Sequence, residues 1–191
     1  MGRFTLAFAV LAFASTAAIP ATAEVASVSE SGFVVKQSVV AAADKADVWK
    51  ALVAPHKWWN KAHTWSGNAD NLYLDAQATG CFCEKLPKPA DAPADQRMGS
   101  VEHMHVIYAD PQGGILRMTG GLGPLQGEAL GGIMTIKLVS IEGGTRIDVD
   151  YAVGGLLRIK GEQIATPVDK VLGEQFGRLA ALFPAAPAAP N

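Results

Sequence analysis

The stretch Gly80-Cys-Phe-Cys-Glu84 holds both cysteines of the chain, one residue apart, and Val101-Glu-His-Met-His105 repeats that spacing with two histidines. Alternate residues of a strand share a face, so Cys81 lies with Cys83 and His103 with His105. A hairpin across the proline-rich segment between the two runs has a natural register with Leu86 opposite Ser100. Cys83 then meets His103, Cys81 meets His105, and all four gather on one surface. Three chemistries are open to them. Two thiolates and two imidazoles suit zinc by ligand type, but four ligands on a flat sheet converge poorly and the spacing is unlike a C-x2-C knuckle. A Cys81–Cys83 disulfide would have to join Cα atoms roughly 6.5–7 Å apart in a regular strand, and needs a kink that Gly80 could permit. The third reading is two buried small apolar residues beside two hydrogen-bonded histidines, and it asks least of the geometry. We adopt it here, and expect no metal or other cofactor. The same register sets Glu84 opposite Glu102 on the other face. Like charges so placed repel, and in a dry setting one would keep its proton. Such a pair could act as general acid and base. The competing arrangements are a register one step different, or both carboxylates on the solvent face with Arg117 or Lys85 nearby.

Where the protein works bears on the thiols. Arg3 is followed by the uncharged run Phe4–Ile19 and by Ala21-Thr22-Ala23, a small-x-small cleavage pattern. This predicts a secretory signal peptide over residues 1–23, a periplasmic or secreted product, and no membrane span after cleavage. Losing it removes one of the 16 basic residues and none of the 18 acidic ones, which leaves a net charge of −3. A nucleic-acid partner, which needs a basic face, is therefore not expected.

The elements that must position these side chains follow from periodicity. Phe33–Ala41 alternates and is valine-rich, as a strand is. Asp44 can cap a short helix whose apolar side is Val48, Trp49, Leu52 and Val53, and Pro55 can open a second. Strands are then predicted near Leu72–Gln77, Cys81–Leu86, Ser100–Ala109, Ile115–Gly120, Ile133–Ile141 and Thr145–Val153, with "DPQGG" and "EGG" as hairpin turns. Thr166 as N-cap and Pro167 at N1 open a long helix with Val168, Val171, Leu172, Phe176 and Leu179 on one stripe. Residues 24–31 read as a flexible N-terminus, 32–183 as one domain, and 184–191 as a disordered Pro/Ala tail.

The runs "SVVAAADKADVWKALVAPHKWW", "VIYADPQGGILRMTG" and "VDKVLGEQFGRLAALF" resemble the START-like (SRPBCC) superfamily, most closely its polyketide cyclase/dehydrase-like and heat-shock ATPase activator-like branches. The resemblance implies an α+β helix-grip fold: a curved seven-stranded antiparallel sheet around the C-terminal helix, two short helices after the first strand, and an apolar cavity between sheet and helix. It also implies a small hydrophobic molecule as partner. The more apolar face, with Phe82, Glu84 and Met104, is expected to line that cavity, with Met118 and Tyr151 among its walls. The aromatic run "HKWWNKAHTWSGN" falls at the cavity mouth, where Trp59, His63 and Trp65 are candidate binding residues. His63, Glu84 and Glu102 are candidate proton-transfer groups. Ser66 lacks a G-x-S-x-G context, and the glycines after Thr119 do not form a phosphate loop. Three functions stay open: a hydrophobic-ligand carrier, a cyclase or dehydratase acting on such a ligand, and a metal or thiol module on Cys81, Cys83, His103 and His105.

Overall fold

The computed structural model describes residues 22–184; most of the predicted signal peptide, residues 1–21, and the predicted tail, 185–191, lie outside the described residues. The element order is β1 (Thr22–Ser29), β2 (Gly32–Ala41), α1 (Lys45–Leu52), β3 (Leu72–Leu74), β4 (Cys81–Leu86), β5 (Gly99–Asp110), β6 (Ile115–Thr119), β7 (Ala129–Ile141), β8 (Gly144–Leu156) and α2 (Gly161–Ala181). One antiparallel sheet of 8 strands runs β1-β2-β8-β7-β6-β5-β4-β3. After β2 the chain crosses through α1 and three short 3-10 turns to the far edge, then returns strand by strand. α2 lies against β1 and β2 and closes the core.

Alternation sets which side of each strand is buried. Ile147, Val149, Tyr151 and Val153 of β8 point inward while Arg146, Asp148 and Asp150 do not. On β2, Phe33, Val35 and Val39 do the same, and Gln37 joins them because its amide reaches the Asp169 carbonyl at 3.0 Å. The turn between β7 and β8 needs Gly143, whose φ of 81° lies in the left-handed region. Asp44 caps α1, accepting the Asp47 N–H at 2.9 Å.

Three expectations need correction. Residues 24–31 are not a loose lead-in, since Glu24–Ser29 belongs to β1 and pairs with β2; this raises the strand count from seven to 8. The third strand stops at Leu74 rather than Gln77. α2 begins at Gly161, so Pro167 sits inside the helix and not at its start. The early turn is held by the β1–β2 hairpin: Gly161 donates its N–H to the Glu30 carbonyl at 3.3 Å, and Lys160 bonds Glu30 at 2.8 Å. Gly161 is required there, because a Cβ would come within 2.2 Å of the Ser29 carbonyl oxygen. Pro167 costs one helical hydrogen bond, and its position becomes useful at the site described next.

Candidate functional site

The space between sheet and helix is almost filled. Trp58 packs on Phe176 and Trp59, and Trp59 packs edge-on against Phe82, with ring centres 5.1–5.7 Å apart. With Met104, Met118 and Met134 they leave an apolar void of about 20 Å³, enough for one water-sized body. A larger cavity, about 330 Å³, opens beside it. Its three walls are the Trp59–Trp65 segment, the Leu122–Pro124 loop, and the α2 face bearing Ile164, Pro167, Val168, Val171 and Leu172. His103 supplies a polar side chain from the sheet.

Each wall is anchored by hydrogen bonds. Asn60 starts the turn Lys61–His63 and donates its backbone N–H to Gln175 Oε1 of α2 at 2.7 Å. Arg178 Nε donates to the Trp58 carbonyl at 2.7 Å. Trp59 closes the segment on itself, its indole N–H reaching the His63 carbonyl at 2.9 Å. On the opposite wall, Tyr151 Oη donates to the Gly120 carbonyl at 3.0 Å and accepts the Leu122 N–H at 3.3 Å. Burial raises its phenol to about 12, only partly opposed by the Leu122 bond.

The sheet wall departs from regular pairing. Cys81 faces His105 and Phe82 faces Met104, but Cys83 faces Glu102. A β-bulge has inserted His103 as an extra residue on β5, so His103 and Met104 are buried in succession. His103 turns inward, and Glu102 moves to the outer face. The expected Glu84–Glu102 pair therefore does not form: Glu102 is exposed and lies 3.2 Å from His105 Nδ1. Glu84 meets His103 instead, at 2.9 Å between Oε2 and Nε2.

Glu84 has no exposed surface and His103 only 5 %. The Glu84 carboxylate also accepts the Trp65 N–H at 3.0 Å and the Ser66 N–H at 2.6 Å. Burial acts to raise its pKa, but bonds from Ser66, Trp65 and His103 together outweigh it and hold the carboxyl below its ordinary range. For His103, burial dominates and lowers the imidazole below its ordinary value, against the partial opposition of Glu84. At neutral pH the pair is an ionised carboxylate beside a neutral imidazole. A carboxylate can only accept, so Nε2 carries the proton and Nδ1 carries a lone pair. Nδ1 has no partner among the described residues, yet is not among their fully enclosed polar atoms, so it keeps accessible surface.

Other sequence-predicted residues fall in three places. Trp59, His63 and Trp65 line the larger cavity, with Trp65 at its rim and 57 % exposed. His63 lies 3.4 Å from Glu174 Oε2. Glu174 is held low chiefly by its hydrogen bond from Asn60, slightly opposed by burial, with His63 and Arg178 adding to the effect. Phe82, Met104 and Met118 line the small void and not the larger cavity, and Tyr151 lines neither. Glu84 sits behind His103 and does not line either cavity. The Leu122–Pro124 wall and the role of His103 were not found from sequence; the apolar stripe Val168–Leu172 was, as a packing face.

The cysteines need a second correction. Cys81 and Cys83 are joined as a disulfide, so they are not two free buried thiols. β4 is contracted beside the bulge, and the two Cα atoms are 5.4 Å apart instead of the strand spacing that made a bridge awkward. The metal set of Cys81, Cys83, His103 and His105 is also broken, because His103 is on the other face. Cys81, Cys83 and Glu102 place ligand-type atoms within 4.8 Å of one another, but neither sulfur is a thiolate while the bond is intact.

Several solved structures share this architecture. An uncharacterized protein from Rhizobium leguminosarum matches with a TM-score of 0.54 at 18% identity, over 85% of this chain and 97% of that one. Protein Ms6760 from Mycobacterium smegmatis matches at 0.52 and 14% identity, over 88% and 100%. Ara h 8.0201 matches at 0.50 and 14% identity, over 78% and 95%. What they share with this chain is the helix-grip fold, an antiparallel sheet packed on a long C-terminal helix. No protein-family model and no curated protein matches the sequence.

Proposed function

We propose that the protein binds a small hydrophobic molecule in the cavity between α2, the Trp59–Trp65 segment and the Leu122–Pro124 loop. The observation that carries this is the contrast between two spaces. The interior is packed down to about 20 Å³, whereas the lateral cavity of about 330 Å³ lies in the range of small-molecule sites and has mostly apolar walls. The leader-like N-terminus supports export as the setting, and the Cys81–Cys83 bond fits an oxidising compartment. Cleavage after Ala23 would trim Thr22 and Ala23 from β1 and leave the pairing from Glu24 onward.

The test is native mass spectrometry of protein isolated from its natural source, beside a Val168→Trp variant. Val168 faces the cavity, so the larger ring should fill it without entering the core. A co-purifying molecule retained by wild type and lost from the variant supports the reading. Equal retention by both, or no bound molecule in either, removes it.

A second reading, turnover of the bound molecule by a cyclase- or dehydratase-type reaction, is favoured by one feature. A base held in one tautomer by a buried carboxylate is the arrangement general-base catalysis uses. His103 takes that place here, and Glu84 could only position it. Incubating the co-purifying molecule with wild type and following its mass separates carrier from enzyme.

A further inference from the structure

We propose that His103 Nδ1 is the polar anchor of the cavity, and that it selects hydrophobic molecules carrying a hydroxyl donor, a phenol or an enol. This rests on the binding reading above and narrows it to a ligand class.

The side chains of the cavity wall differ in the hydrogen-bonding valences they leave free. Among its polar side chains, Trp59 spends its N–H on the His63 carbonyl, and Thr64 spends its hydroxyl proton on the Lys61 carbonyl. His63 is turned to Glu174 at the outer edge. Trp65 offers only a donor, at the rim. His63 and His103 each set Nε2 against a carboxylate and have no protein partner at Nδ1 among the described residues, but the His63 side chain is 35 % exposed, whereas His103, at 5 %, holds its lone pair within the apolar wall. That lone pair is fixed and not one of two alternatives. The Glu84 carboxylate, which takes donors from Trp65, Ser66 and His103, has only acceptors to offer, so the imidazole cannot turn its own acceptor toward it without setting two acceptors against each other. The ring is further held against Phe82, with centres 4.9 Å apart. The bulge at His103 is what brings this nitrogen inward; regular pairing would have left it on the outer face with His105. An apolar ligand lacking a donor would bury this nitrogen unpaired, and one carrying a hydroxyl would satisfy it.

The test is calorimetric titration of the full-length mature protein with 2-naphthol and with its methyl ether, 2-methoxynaphthalene. The ether is the more apolar of the two, so hydrophobicity alone favours it. The expected result is roughly tenfold tighter binding of 2-naphthol, the size of one neutral hydrogen bond in an enclosed site. His103→Phe keeps a flat ring and removes the acceptor. The preference for the naphthol, read as the ratio of the two affinities in the same protein, should be lost, whatever the variant does to binding of either probe alone. A preference that survives in His103→Phe overturns the inference, because it would then come from the bulk of the methyl group. Equal binding of both probes by wild type overturns it too, and leaves the hydrophobic-site reading standing. Binding of neither probe removes both. Should His103→Phe fail to fold, the ¹⁵N shifts of wild-type His103 decide: 2-naphthol should move Nδ1 and leave Nε2 as the protonated nitrogen. No movement of Nδ1 at saturation overturns the assignment.

Discussion

His103 Nε2 lies 2.9 Å from Glu84 Oε2, and the two residues come together because one extra residue on β5 turns a side chain that pairing alone would have sent outward. The contact joins β4, β5 and the Trp65–Ser66 backbone at a single carboxylate. Sheet geometry and cavity wall are thus parts of one polar cluster, and changes to either residue should be felt in both.

Acid should weaken the fold first through this histidine. His103 is held below the ordinary value of 6.5. As pH falls past that value the unfolded chain takes a proton at this position before the folded chain does, so protons favour unfolding and stability drops until the lower folded value is passed. Glu84 acts in the same direction further down: its contribution is present above 4.5 and is lost as pH falls through its depressed folded value. Urea midpoints followed from neutral pH into the carboxylate range should decline in two stages. His103→Phe should lack the upper stage; its persistence there would assign it to another group.

Replacing Glu84 by glutamine should loosen the aromatic segment. The single amide oxygen can keep only part of the bonding, and the new NH₂ faces groups that are themselves donors. A cost of about 1–3 kcal/mol is expected for the buried polar group left unsatisfied. The Trp65 and Ser66 amides, which donate to Glu84 at 3.0 and 2.6 Å, should exchange their hydrogens faster than in wild type. Unchanged exchange at both amides would show that the carboxylate does not tether this segment.

The bulge also marks the limit of what the sequence discloses. Alternation in β8 and in Phe33–Val39, the apolar stripe of α2 and the Asp44 cap are local patterns, and each is legible because side-chain period and burial coincide. The pairings Cys81–His105 and Phe82–Met104 follow from the same rule. One step later the register shifts, and every assignment beyond it changes face. The cause is non-local: Glu84 is held by N–H groups 18 and 19 residues earlier, and no periodicity encodes that. β1 escaped notice because Glu24–Ser29 carries few large apolar residues and, as an edge strand, pairs on one side only. Pro167 suggested a helix start, yet contacts between Gly161 and the β1–β2 hairpin extend the helix past it.

The disulfide should be present and modest in effect. Thiol titration of the oxidised, denatured protein should find no free sulfhydryl, since both cysteines of the chain are bonded to each other. The closed loop spans only a few residues, so the entropy removed from the unfolded chain is small. Cys81→Ser with Cys83→Ser should cost about 1.5 kcal/mol, measured as the shift in urea midpoint. Two titratable thiols in protein handled without reductant would refute the bond.

Phe176 offers a test of the filled interior. It is fully buried on α2 and packs on Trp58 at 5.7 Å, at the edge of the void of about 20 Å³. Phe176→Ala should cost about 3–5 kcal/mol, the transfer of a benzyl group plus the cavity left behind. Leu182→Ala, at the exposed end of the helix, is the control and should stay within about 0.5 kcal/mol of wild type. The enlarged void would be apolar and joined to the space beside Trp59, so toluene should raise the unfolding midpoint of Phe176→Ala by binding the folded state alone. Wild type, whose interior has room for only one water-sized body, should show a smaller rise, limited to binding in the lateral cavity. Equal toluene stabilisation of the two proteins would mean that Phe176 does not divide a packed interior from an open site, and that the core closes over the lost ring.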